Sequence, residues 1–235
     1  MNQIPILLLI VLIQGWSESG AWKNSLLKKV LESIPGVVVV VPDYLEGKGR
    51  FAQFKTHRSV EAYAYAVDRV MEEAKRMYPG VQIMVVGHSL GGVIARWLER
   101  YMRTFPSRNM ILVGTPNKGI TRKTFGGKAG IVVLPLLKVL ASKHLCNVPV
   151  FYQLLEGSKF LEELNKKGIP KDAYYISGEQ DEVVPLWSSD PHNIGEFVPC
   201  GHHLVPNEGS LVETSAIPII ERIAKERLAE IKAAS

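Results

Sequence analysis

Cysteine is nearly absent from this sequence: Cys146 and Cys200 are the only two in 235 residues. That number and spacing exclude a disulfide scaffold and the C-x-x-C pattern of metal or redox sites. Two buried thiols are favoured over a bridge. Runs of like charge are also missing. The 28 basic and 23 acidic residues are scattered, so the formal charge of +5 builds no nucleic-acid-binding arm and favours anionic surfaces at most. No apolar run reaches the roughly 20 residues of a membrane-spanning helix. Internal repeats and low-complexity tracts are lacking. No cluster of His, Cys, Asp and Glu has convincing metal spacing, Asp190-x-His192 being the nearest approach, so neither a metal nor a cofactor is expected.

What is present suits one compact domain spanning 1–235, since 46% of the residues are apolar and 22% charged. Residues 4–13 are apolar except for Pro5. No Lys or Arg precedes this run and no small-residue cleavage pattern follows it, so it reads as a buried parallel strand retained in the mature protein, not as a signal peptide. A cytoplasmic location is the corresponding expectation.

Strand-like and helix-like segments then alternate. An amphipathic stretch at about 22–33 leads to the β-branched run 36–41, and a long helix is expected over 59–78. Its Val60, Tyr63, Ala64, Val67, Val70, Met71 and Ala74 are spaced to share one face. Residues 81–86 read as a third strand, 90–104 as a helix with Ile94, Trp97, Leu98 and Tyr101 on one side, and 110–114 as a fourth strand. Two more strands are expected at 173–177 and 196–198, and a closing helix at 210–233, interrupted near its start by Pro218. Near-continuous apolar strands alternating with helices predict an α/β fold with a mostly parallel sheet covered on both faces. Between about 117 and 168 the alternation breaks into a Gly/Lys-rich loop, an apolar stretch at 129–141 and a further helix. This reads as an insertion above the sheet.

The pentapeptide Gly87-His88-Ser89-Leu90-Gly91 falls between the third strand and the helix after it. A serine on so tight a turn needs neighbours without side chains, and Gly87, Gly91 and Gly92 supply the room. The hydroxyl then projects above the sheet. The Leu90 amide opens a helix, where unpaired N–H groups and the helix dipole favour an oxyanion. Ser89 is thereby the candidate nucleophile.

With this elbow, the run 4–16, Gly114-Thr115-Pro116-Asn117-Lys118-Gly119 and Gly178-Glu179-Gln180-Asp181-Glu182-Val183-Val184-Pro185, the chain resembles the α/β-hydrolase family, and within it the compact lipases. The resemblance covers residues 4 to about 224. It implies a sheet of about six strands with helices on both faces and a lid at about 117–168. It places the oxyanion hole at the backbone amides of Trp16 and Leu90, with Gln14 standing where the family usually has histidine. The family order of nucleophile, acid and base points downstream of Ser89 for the other two groups.

A serine hydroxyl needs a histidine to take its proton, and that histidine needs an acceptor to fix its tautomer. Asp181 follows a strand at its C-terminal end, where open α/β sheets assemble their sites, and its continuation resembles the family's acid loop. Glu179, Glu182 and Asp190 compete with it. Among six histidines, His88 lies inside the elbow, His57 and His144 precede the acid, and His192 precedes the last strand. His202 and His203 remain, and the Gly201-His202 pair resembles the family's Gly-His signature, which favours His202. Ile131, Val132, Val133, Leu134, Leu136, Leu137, Val139 and Leu140, between Lys128 and Lys143, suit either a greasy lid for a lipid surface or a segment packed on the core. The expectation is hydrolysis of carboxylic esters, lipid esters favoured. A thioesterase, an amidase, an acyltransferase and a non-catalytic lipid- or partner-binding member of the fold are the alternatives.

Overall fold

In the computed structural model, residues 5–15, 21–43, 58–121, 149–202 and 215–234 are described. Six strands, β1 (Leu8–Ile13), β2 (Val37–Val40), β3 (Gln82–His88), β4 (Met110–Val113), β5 (Tyr174–Gly178) and β6 (Glu196–Val198), form one sheet in the order β2-β1-β3-β4-β5-β6. Every pairing is parallel, with Leu8 opposite both Val37 and Gln82 and Ile176 opposite Glu196. The helices are α1 (Leu26–Glu32), α2 (Val60–Met77), α3 (Leu90–Trp97), α4 (Pro149–Gln153), α5 (Lys159–Asn165), α6 (Leu186–Ser189) and α7 (Ile217–Ala234).

The apolar strands look unpatterned because both faces are buried, yet the period of two sorts them cleanly. Leu9, Val11, Ile13, Ile83, Val85 and Leu112 face a core built with α2, α3, α4 and α5. Leu8, Ile10, Leu12, Met84, Val86 and Ile111 face the other core, with Trp22, α1 and α7. All six residues of β1 are fully buried. That is how a ten-residue apolar run is absorbed as a strand: flanking strands pair with both its edges and helices cover both its faces.

Local signals set several boundaries. Ser25 and Ser59 cap α1 and α2 by accepting from the amides of Lys28 and Ala62. The buried face of α2 carries Val60, Tyr63, Ala64, Val67, Met71 and Ala74 as expected, while Val70 lies at its margin, half-buried. Two expectations are corrected. The helix starting at Leu90 is regular only to Trp97, a π-type turn covers Leu98–Met102, and Arg103 ends it in the left-handed region at φ 53°. Tyr101, expected on the buried side, is therefore exposed. All of α3 is buried, because β3 lies beneath it and α2 beside it, so no single apolar stripe defines its orientation.

Within the stretch 117–168, expected as an insertion above the sheet, Val150, Leu154, Leu155, Leu161 and Leu164 pack instead into the main core, on the α2–α3 side. The apolar stretch at 129–141 and Cys146 lie outside the described residues. Cys200 is a free, half-buried thiol whose pKa burial raises. No helix among the described residues is long and apolar enough to cross a membrane.

Candidate active site

β3 ends at His88, and the chain turns at once into α3. Ser89 sits at that corner with φ 51° and ψ −119°, one of three described non-glycine residues at positive φ. Such a backbone costs about 1–3 kcal/mol and persists only when the surroundings over-determine it. Here they do. The Ser89 amide donates to the Val113 carbonyl of β4 at 2.9 Å, and the Gly92 amide donates to the Ser89 carbonyl at 3.1 Å. A Cβ on Gly87 would come within 2.6 Å of the Gly91 carbonyl oxygen. One on Gly91 would land on the Ile13 carbonyl, and one on Gly92 on the Thr115 hydroxyl. The three glycines are thus sites of close backbone approach, and Ser89, half-buried, is held at the C-terminal edge of the sheet.

The Gly91 backbone rests against the carbonyls of Ile13 and Gln14, so the end of β1 lies directly beside the elbow. Gln14 is fully buried there. Trp16 itself lies outside the described residues. Leu90 is the first residue of α3, so its amide has no acceptor within the helix.

Asp181 and His202, the candidate acid and base, arrive together because the chain continues to pair beyond β5 and β6. The Glu179 amide donates to the Val198 carbonyl at 2.9 Å and that of Gln180 to the Cys200 carbonyl at 3.2 Å. Asp181 and His202 follow immediately, and His202 Nδ1 lies 2.9 Å from Asp181 Oδ2, both side chains being only 1% exposed. The other carboxylate oxygen of Asp181 accepts from the amides of Val183 and Val184, each at 2.8 Å. An ionised carboxylate can only accept, so Nδ1 carries the imidazole proton and Nε2 is left as the acceptor. The His202 ring stacks on His88, the residue preceding Ser89, with centroids 4.9 Å apart and planes 28° apart. That contact seats the imidazole against the elbow.

The competitors have other partners. Asp190 is buried and accepts from the amides of Ile194 and Gly195, which closes the loop leading into β6. Glu179 and Glu182 are exposed. His192 Nε2 is 3.1 Å from the Ile169 carbonyl, and no group of three His, Cys, Asp or Glu among the described residues could hold a metal. His57, His144 and His203 lie outside the described residues.

One part of the site was not foreseen from the sequence. Arg96 of α3 is 2% exposed, and burial pulls its pKa down to about 10. Its guanidinium donates to the Asn117 carbonyl at 3.2 Å and to Asn165 Oδ1 at 2.6 Å. Asn117 in turn donates from its amide to the Ser188 carbonyl at 3.1 Å and from its side chain to the Ser189 carbonyl at 2.9 Å. The helix that follows Ser89 is thereby tied to α6, which follows the Asp181 loop. A sequence signal existed in the Thr115-Pro116-Asn117 turn, but not one that named its partners.

Sheet order, elbow and the Asp–His pair together define an α/β-hydrolase. Residues 10–127, half of the chain, match the sequence profile of the class 3 lipases, and the chain belongs to that family. No curated protein sequence matches it. Among solved structures it is similar to phospholipase PlaB from Legionella pneumophila, at 17% identity and a TM-score of 0.53 over 78% of this chain, which spans 45% of PlaB's length. It is also similar to the mature lipase BlEst2 of Bacillus licheniformis, at 14% identity and a TM-score of 0.61, covering 95% of this chain and 94% of that one. An extracellular alpha/beta-hydrolase from a Paenibacillus species matches at 14% identity and a TM-score of 0.57, covering 93% and 98%. At these identities the likeness is one of fold.

Proposed function

We propose that this class 3 lipase cleaves carboxylic esters of lipids through Ser89, His202 and Asp181. The observation that carries the reading is the strained elbow. A binding module gains nothing from holding Ser89 at φ 51°, whereas a nucleophile needs its hydroxyl lifted clear of the sheet. Ser89 Oγ attacks the ester carbonyl as its proton passes to His202 Nε2. The carboxylate of Asp181 stays ionised and stabilises the imidazolium. The amides of Leu90 and Trp16 take the developing oxyanion. Collapse of the tetrahedral species expels the alcohol, which receives the proton from His202. Water activated by the same imidazole then releases the acid and restores Ser89.

The lid expected within 117–168 is proposed to be its apolar stretch 129–141, whose composition suits contact with a lipid surface, since residues 150–164 belong to the main core. Leu186 and Trp187, exposed on α6 just after the Asp181 loop, add apolar surface there.

A series of p-nitrophenyl esters of increasing chain length, assayed above and below their solubility limits, tests this substrate class. Rates should rise with acyl length and rise again, several-fold, once aggregates form. Fastest turnover on acetate with no step at the solubility limit would reassign the enzyme to small soluble esters.

A further inference from the structure

The Asp181 hydrogen bond fixes only one point of the His202 ring. An imidazole attached at Cβ and hydrogen-bonded at Nδ1 still has freedom to tilt within the give of that bond, and each tilt moves Nε2. A second restraint must set the plane. His88 supplies a flat surface for it. β3 alternates, so His88 shares the side of Met84 and Val86, the face covered by α1 and α7. His88 is 1% exposed, and its ring stacks with two others, His202 at 4.9 Å and 28° and Trp22 at 6.2 Å and 26°. Trp22 is 2% exposed and packed in the same core. Contact with that indole restrains the His88 ring on which His202 stacks. The stack also covers one face of the imidazole against water when it becomes charged.

We propose that His88 is a positioning residue for His202, the Trp22–His88–His202 stack fixing the plane of the base as Asp181 fixes its tautomer. The assignment rests on the proposed triad. It also accounts for a histidine, and not a small residue, directly before the nucleophile: the side chain there faces the base, not the substrate.

The test compares His88→Ala and His88→Phe with the wild type on one soluble ester, kcat and KM being measured separately. His88→Ala should lower kcat by about 10- to 100-fold, the scale of a misplaced catalytic group, with KM within about two-fold. His88→Phe, which keeps a flat ring, should recover most of that loss. The far-downfield proton resonance of His202 Nδ1–H should be sharp in the wild type and His88→Phe and broadened in His88→Ala. Trp22→Leu, which removes the indole contact, should broaden the same line and lower kcat several-fold, and this variant decides the matter should His88→Ala not fold. Wild-type kcat with an unchanged resonance in His88→Ala, or in Trp22→Leu where that variant decides, overturns the proposal. So does a folded His88→Phe as impaired as His88→Ala. Activity surviving in Ser89→Ala would instead sink the triad itself, so the two failures are distinguishable.

Discussion

Ser89→Ala is expected to lower kcat/KM for a soluble ester by about 10^4- to 10^6-fold, the range found when the nucleophile of a serine hydrolase is removed. Fold and stability should change little. Alanine keeps a Cβ at φ 51°, so the backbone strain is neither relieved nor increased. The Ser89 contacts that hold the elbow, its amide to Val113 and its carbonyl to Gly92, are made by backbone and survive the change. Loss of activity with an unchanged Tm would therefore belong to the missing hydroxyl. A variant retaining a tenth of wild-type activity would mean that the reaction does not pass through Ser89.

Asp181→Asn is the second large effect, an expected fall in kcat of about 10^3- to 10^4-fold. The shape of the side chain is conserved, and an amide oxygen can still accept from Val183 and Val184 as Oδ1 does now. The amide nitrogen must then face His202 Nδ1, where the carboxylate oxygen stands at 2.9 Å. A donor there favours the tautomer with its proton on Nε2, and Nε2 can no longer accept from Ser89. The imidazolium also loses its counter-charge in a site where both side chains are 1% exposed. KM should barely move, since Asp181 does not reach the substrate. An equal loss in Glu179→Gln, or none in Asp181→Asn, would transfer the role of acid elsewhere.

These expectations depend on how much of the site is written locally in the chain. The strands were legible because a parallel strand buried on both faces must be almost wholly apolar, as β1 is. The elbow at Ser89 was legible because the glycines around it answer collisions within a few residues and with the ends of the two adjacent strands, β1 and β4. The meeting of Asp181 and His202 was expected from their places just past strand ends and from the resemblance of their loops to those of the family.

Features set by distant partners were not. The change from α-helix to π-type turn after Trp97, which leaves Tyr101 exposed, has no marker in the apolar spacing. The links of Arg96 to Asn117 and Asn165 join residues 21 and 69 positions apart, and an arginine in an amphipathic segment reads as solvated until packing buries it. His88 lay between these cases. Its place in the elbow was plain, but its stacking with Trp22 and His202 had to be brought about by the fold.

The most direct measurement of the central claim is covalent labelling with a fluorophosphonate, followed by mass mapping of the modified peptide. Only a serine activated by a base reacts readily with this reagent. One adduct per chain is predicted, on Ser89, absent from Ser89→Ala and much slower to form in Asp181→Asn. A folded protein that takes up no label, or takes it up on another serine, would contradict the account.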